Sequence, residues 1–219
     1  MDPLKADWTL HVITDRHLSG DRDPLDIVRL AVQGGATVVQ LRDKDGPTRD
    51  MVALGRALRQ LTRELGVVFL VNDRVDVALA LDADGAHVGQ DDLPAEMARA
   101  LLGPGRLLGV SAATPDEARA AQAAGADYIG TGTVYPTGSK ADVGEPVGLA
   151  RLADVTRAVT IPVVAIGGIG SGRAGPCIAH GAAGVAVISA IVAQSDPQAA
   201  ARQLRQEIDA ARSKPEIRD

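Results

Sequence analysis

Asp73 and Asp92 each follow an apolar run, VVFLV (67–71) and GAHV (85–88), through short polar tails, Asn72-Asp73 and Gln90-Asp91-Asp92. A carboxylate at the end of a buried strand either caps the next helix or is presented to a ligand. Adjacent parallel strands lie about 4.8 Å apart, so carboxylates ending two neighbouring strands can meet on one hard cation. Oxygen donors without His or Cys point to Mg²⁺, which takes one or two carboxylates and completes its shell with water and substrate phosphates. Upstream, QLRDK (40–44) spaces Gln40, Arg42 and Lys44 by two. In an extended chain this sends Gln40 and Arg42 to one face and Val39 and Leu41 to the other. The segment is either a solvated charged turn or, if its polar face lines a lumen, a site for a diphosphate or a polar ring.

Later strand ends add hydroxyls and glycines. Ser111 ends LLGVS, where a turn or cap residue would look the same. In PTGSK, Thr137, Gly138, Ser139 and Lys140 form a candidate phosphate clamp in which Lys140 supplies a point charge. AIGGIGSG contains Gly168, and VISAI contains Ile188 and Ser189, with Ser189 placed to cap a short helix. Loops of this kind bind phosphate through backbone N–H groups after the seventh and eighth strands of barrels. GIGSG lacks dinucleotide-fingerprint spacing. His11, His17, His87 and His180 show no ligand spacing and read as structural, Cys177 falls inside a helical segment as a core residue, and no Ser-His-Asp arrangement is evident.

These residues need a scaffold that brings many strand ends to one face. Apolar runs at 10–14, 37–41, 67–71, 85–89, 107–111, 127–131, 162–166 and 184–188 alternate with helical periodicity at 24–33, 48–65, 74–81, 94–102, 115–124, 148–159, 172–180 and 197–212. Thr114-Pro115 with Glu117, and Asp196-Pro197, carry helix-start chemistry. Eight such units close most economically as a single-domain (β/α)8 TIM barrel over 1–219, with short flexible termini. Four related links, GGATVVQ, DADGAHVG, AAGADYIG and HGAAGVAV, read as one structural turn reused. The stretch at 132–148 lacks periodicity, and loops of that length are functional or disordered. Apolar residues make up 46% of the chain and aromatics 2%, so Val, Ile, Leu and Ala must fill the core.

The formal charge of −5 argues against nucleic acid as a partner, since that needs clustered positive charge. One cysteine forms no internal disulfide and suits a reducing compartment. Neither a secretory pattern nor a run of about 20 apolar residues is present. The expectation is a cytoplasmic protein acting on small molecules, without a membrane.

Taken in order, VITDR (12–16), QLRDK, VNDRVDVAL (71–79), ADGAHVGQDD (83–92), GVSAAT (109–114), GADYIGTG (125–132), YPTGSK (135–140), PVVAIGGI (162–169) and GVAVISAI (184–191) resemble the thiamine-phosphate synthase family over nearly the whole chain. The resemblance implies a transferase that joins a pyrimidine CH2-diphosphate to a thiazole phosphate, releasing diphosphate. It implies that Gln40, Arg42, Lys44 and Asn72, with the intervening Leu41 and Asp43, bind the pyrimidine diphosphate, helped by Ser111 and Lys140. Arg42, Lys44, Ser111 and Lys140 then act in catalysis, and Asp73 and Asp92 hold Mg²⁺. Thr137, Gly138, Ser139, Gly168, Ile188 and Ser189 cradle the thiazole phosphate, in a monomer or small homo-oligomer. The chain departs from the family pattern at Ser139, Thr133 and Ala113. A related thiazole tautomerase would need no diphosphate or Mg²⁺ site, and a non-catalytic sensor would bind the same molecules without turnover. Because the thiazole nitrogen carries no proton, its attack needs no base, which fits a site rich in leaving-group stabilisers but without a nucleophile.

Overall fold

The structure, a computed structural model, describes residues 6–138 and 146–213. Eight strands, β1 (Leu10–Ile13), β2 (Val38–Leu41), β3 (Val68–Asn72), β4 (Gly85–Val88), β5 (Leu107–Ser111), β6 (Tyr128–Thr131), β7 (Val163–Ile166) and β8 (Gly184–Val187), pair in parallel with their sequence neighbours. β8 returns to β1 and closes the barrel. The helices are α1 (Arg16–Ser19), α2 (Pro24–Gln33), α3 (Thr48–Leu65), α4 (Val75–Ala80), α5 (Ala95–Leu102), α6 (Pro115–Ala123), α7 (Gly148–Ala158), α8 (Ala174–Ala179), α9 (Ser189–Val192) and α10 (Pro197–Arg212). Eight of them occupy the segments expected from periodicity. The one-turn α1 has too few residues to show a period.

Strand alternation splits the core in two. Leu10, Val12, Val39, Leu41, Phe69 and Val71 turn outward under the helices, while Val38, Val68, Leu70, Leu107 and Tyr128 turn into the lumen beside Trp8. The lumen is therefore packed at its lower end, and only side chains near the C-terminal strand ends remain available to a ligand.

Capping fixes where the chain leaves each strand. Thr114 accepts from Glu117 N–H (3.2 Å) at the start of α6, and Asp196 accepts from Ala199 N–H (2.9 Å) at the start of α10. Three of the four reused links share a function at the opposite barrel face, while HGAAGVAV carries Ala183 at the corresponding place. Thr37 accepts from Leu10 N–H (3.1 Å), Asp84 from Phe69 N–H (2.8 Å) and Asp127 from Leu108 N–H (2.7 Å), so the residue just before one strand binds an early N–H of the strand before it. Asp84 is also gripped by both terminal nitrogens of Arg59 (2.9 and 3.0 Å), and Asp127 by Arg99 (2.6 Å).

These carboxylates precede β4 and β6, at the strand ends opposite the barrel mouth. Asp84→Ala would leave Arg59 and the Phe69 N–H without their acceptor, and breaking such a largely buried pair costs about 3 kcal/mol. Urea unfolding should show that loss as a lower midpoint.

Candidate active site

Two glycines make the floor of the site. A Cβ on Gly109 would fall on the Tyr128 ring, and one on Gly130 would come within 2.9 Å of His87 Cε1. With hydrogen at both positions, the two rings cross the lumen and bond to each other, His87 Nδ1 to Tyr128 OH at 2.8 Å. His87 Nε2 meets Ser111 Oγ at 2.9 Å, and Gln40 hydrogen-bonds Tyr128. Burial raises the Tyr128 phenol well above its ordinary value, so it stays protonated and can donate. His11 lies beside this chain, and burial, reinforced by the nearby His87, lowers its pKa to about 3, leaving a neutral ring at any working pH.

Above the floor lies a cavity of about 240 Å³, lined among others by Gln40, Arg42, Lys44, Asn72, Asp73 and Asp92. Asp73 follows β3 with φ of 63°, a left-handed conformation that Asp tolerates better than most residues. Its N–H donates to His87 O at 2.7 Å. Asp92 returns to bind Gly89 N–H at 2.8 Å, which holds its carboxylate over the end of β4. The Asp73 and Asp92 carboxylates come together. Burial first, then the hydrogen bond to Asp92 and the like charge of its carboxylate, raise the Asp73 carboxyl to about 6, with Lys44 and Arg42 opposing the shift. Lys44 Nζ stands 3.6 Å from Asp73 Oδ2.

A second cavity of about 670 Å³ opens beside the first, and the two share Ser111, Gly130, Ile166 and Ala186. Its wall is made mostly of glycines and small or hydroxyl residues, including Thr137, Gly138, Gly168 and Ser189, with Ile188 among the larger apolar ones. Gly168 has φ of 64°, and a Cβ there would strike the carbonyl oxygens of Tyr135 and Pro136. The loop after β6 is laced to the turn after β7, Val134 N–H to Ile166 O (2.9 Å) and Tyr135 N–H to Gly167 O (3.0 Å). Arg173 donates to Gly168 O at 2.8 Å and stacks over the Tyr135 ring at 4.9 Å.

Most residues singled out from sequence thus line one of two connected cavities. Leu41 and Asp43 line neither. Leu41 packs outward in the helix-facing core, and Asp43 accepts from Arg16 (2.7 Å) and Gly46 N–H (2.9 Å). Ser189 begins α9, whose N-cap is Ile188 with no side-chain cap bond, so the expected capping role is not its own. Ser139 and Lys140 lie outside the described residues. Cys177 is buried in α8, as expected, and burial pushes its thiol up to about 12. Of the four histidines read as structural, His11 and His87 form part of the smaller cavity's wall. The available signal was strand parity, since His87 shares its face with Gly85 and Gly89, and the missing ligand spacing had no bearing on it.

The profile of the thiamine monophosphate synthase family matches residues 10–191. A thiamine-phosphate synthase of Moorella thermoacetica is 54% identical over 207 residues, which is 94% of this chain and 99% of that protein. One from a Roseiflexus species is 57% identical over 202 residues, covering 92% of this chain and 86% of the relative. Among solved structures, a thiamine phosphate pyrophosphorylase from Pyrococcus furiosus has a TM-score of 0.86 at 43% identity, covering 95% of this chain and 98% of that one. A 3-hexulose-6-phosphate synthase, 16% identical with a TM-score of 0.67, shares the barrel alone.

The raised Asp73 value fixes a sign for stability. Its folded pKa, about 6, exceeds the unfolded value of about 3.9, so the folded state binds this proton more tightly. The resulting stabilisation is full below pH 4 and is lost as pH rises through about 6. In metal-free protein, Asp73→Asn should therefore gain stability relative to the parent at pH 8 and lose that advantage at pH 4, by urea unfolding. Carboxyl carbon NMR should find Asp73 titrating near 6, and lower in Asp92→Asn.

Proposed function

We propose, from the premise that this chain belongs to the thiamine monophosphate synthase family of transferases, that it joins 4-amino-2-methyl-5-(diphosphooxymethyl)pyrimidine to 4-methyl-5-(2-phosphooxyethyl)thiazole. The products are thiamine phosphate and diphosphate. The observation that carries the reading is the pair of joined cavities of unlike chemistry. One has two cations and two converging carboxylates at its mouth, and the other is a glycine and hydroxyl cradle.

The pyrimidine diphosphate belongs in the smaller cavity. Gln40 and Asn72 offer amide donors and acceptors, while Arg42 and Lys44 face the diphosphate. The thiazole phosphate belongs in the larger one, against Gly138, Gly168 and the Ile188-Ser189 backbone, with the Thr137 hydroxyl nearby. Ser111, Gly130, Ile166 and Ala186 line both cavities, so the reacting carbon and nitrogen meet at their seam.

Asp73 and Asp92 fit Mg²⁺. They are hard oxygen donors drawn together, and the raised Asp73 pKa reflects in part a carboxylate pair short of positive charge. When bound there, Mg²⁺ would supply charge neutralisation to the diphosphate oxygens. The protein groups do the rest. The CH2–O bond breaks with its electron pair leaving on diphosphate, and Arg42 and Lys44 stabilise that developing charge. The thiazole nitrogen then gives its lone pair to the CH2 carbon. No proton leaves the nitrogen, so the neutral His11 and the protonated Tyr128 serve as fixed dipoles in the lumen and need not act as bases. A dissociative order, with positive charge on the pyrimidine CH2 before attack, suits a site whose charged groups surround the leaving group.

The test is diphosphate release by the purified chain with both substrates and Mg²⁺. Release should require all three components, and either Asp73→Asn or Asp92→Asn should slow it on the order of 10²-fold or more. Since a proton competes for Asp73, the Mg²⁺ requirement should grow as pH falls through 6. Binding of both substrates without any release would identify a sensor, and isomerisation of a thiazole phosphate alone, without diphosphate or Mg²⁺, would identify a tautomerase.

A further inference from the structure

VITDR is the one motif of the set to which the proposed chemistry gives no task. Its last three residues and His17 run directly alongside residues 42–45 and pair with them rung by rung. Thr14 Oγ1 accepts from Arg42 N–H (2.9 Å) and donates to Arg42 O (3.2 Å). Asp15 Oδ2 accepts from Arg42 Nη1 at 2.8 Å. Arg16 Nη2 donates to Asp43 at 2.7 Å, and His17 Nε2 meets Asp45 at 3.2 Å. The first three rungs act on residues 42 and 43, and the third explains why Asp43 turns away from the cavity.

The Asp15 rung differs from the outer ones in burial. The side chains of Asp15 and Arg42 are only 10% and 12% exposed, against 71% and 72% for His17 and Asp45. Asp15 has no spare oxygen, because Oδ1 accepts from His17 N–H and Leu18 N–H, both at 3.1 Å, as the N-cap of α1. The carboxylate is thus fixed by the backbone on one side and grips the guanidinium on the other. Arg42 itself stands between two spaces. It lines the smaller cavity at the mouth, and it lines a hollow of about 220 Å³ outside the barrel together with Asp15, Arg16 and Asp43. Its Nε is buried and finds no partner among the described residues. A long side chain with two places to go needs a reason to stay in one.

We infer that Asp15 is a positioning residue, which tethers one arm of the Arg42 guanidinium so that its remaining donors are held for the departing diphosphate. This rests on the proposed function for the identity of the anion. The tether itself is a property of the substrate-free chain. An arginine carries five N–H donors in a rigid fork, so one bond to Asp15 leaves the fork able to bind oxygen while removing its freedom to swing. Holding charged donors ready lowers the reorganisation needed as charge develops.

Asp15→Asn retains an acceptor for the α1 N–H groups and removes the charge that grips Arg42. It should lower kcat roughly tenfold to a hundredfold, the scale of a misplaced catalytic contact, with the KM for thiazole phosphate unchanged. Because Asp15 acts through Arg42, the same change in an Arg42→Met background should cause no further loss. Multiplicative losses, or a rise in kcat from releasing Arg42, would overturn the inference. Should Asp15→Asn not fold, ¹⁵N relaxation of the Arg42 Nε–H in the substrate-free parent decides. Order like that of the backbone is expected, and a freely averaging side chain would overturn the tether. A parent that releases no diphosphate from the two substrates would refute the proposed function, while leaving the relaxation result to judge the tether by itself.

Discussion

Strand alternation inside a closed parallel barrel is the constraint on which everything else in this structure depends. Once β8 pairs with β1, every second residue of each strand points at one axis, and the contents of the lumen are decided by parity. Packing must fill its lower end, and the upper end then becomes a place where residues distant in sequence meet. Gly109 and Gly130 show how tight this accounting is. Each gives up a side chain so that Tyr128 and His87 can cross the axis, and the bonded line from Gln40 to Ser111 forms a rigid polar floor.

Charge is arranged around the mouth with the same economy. Two carboxylates are brought together where burial and mutual repulsion make them poor company without a cation, and two cations stand beside them. The far side of the mouth relies on backbone geometry. Gly168 sits in a conformation and at a separation that a side chain would spoil, and the loops after β6 and β7 brace each other through backbone bonds. A diphosphate with Mg²⁺ suits the first side, where formal charges are concentrated. A monophosphate suits the second, where N–H groups and hydroxyls predominate.

Much of this was legible in the sequence because it depends on periodicity and local chemistry. The eight strands and eight of the helices follow from alternation and capping signals, as at Thr114 and Asp196, and the convergence of Asp73 with Asp92 follows from strand adjacency. What could not be read depends on side-chain direction across space. The same spacing that placed Gln40 and Arg42 inward sent Leu41 and Asp43 outward, but the partner that holds Asp43 there, Arg16, lies 27 residues away. Ligand spacing along the chain carries no information about His87, whose partners in the lumen, Ser111 and Tyr128, come from two other strands. The one-turn α1 escaped periodicity altogether, although Asp15 as its cap is what connects β1 to Arg42.

In the proposed function the mouth consists of two half-sites, a metal-dependent one at β2–β4 and a metal-independent one at β6–β8, joined at Ser111. Calorimetric titration of inorganic diphosphate and of thiazole phosphate, each with and without Mg²⁺, into the parent chain and Asp92→Asn tests it most directly. Diphosphate should bind only with Mg²⁺ and lose most of its affinity in Asp92→Asn, while thiazole phosphate should bind alike in all four conditions. Equal weakening of both ligands by the substitution, or diphosphate binding that ignores Mg²⁺, would contradict the division.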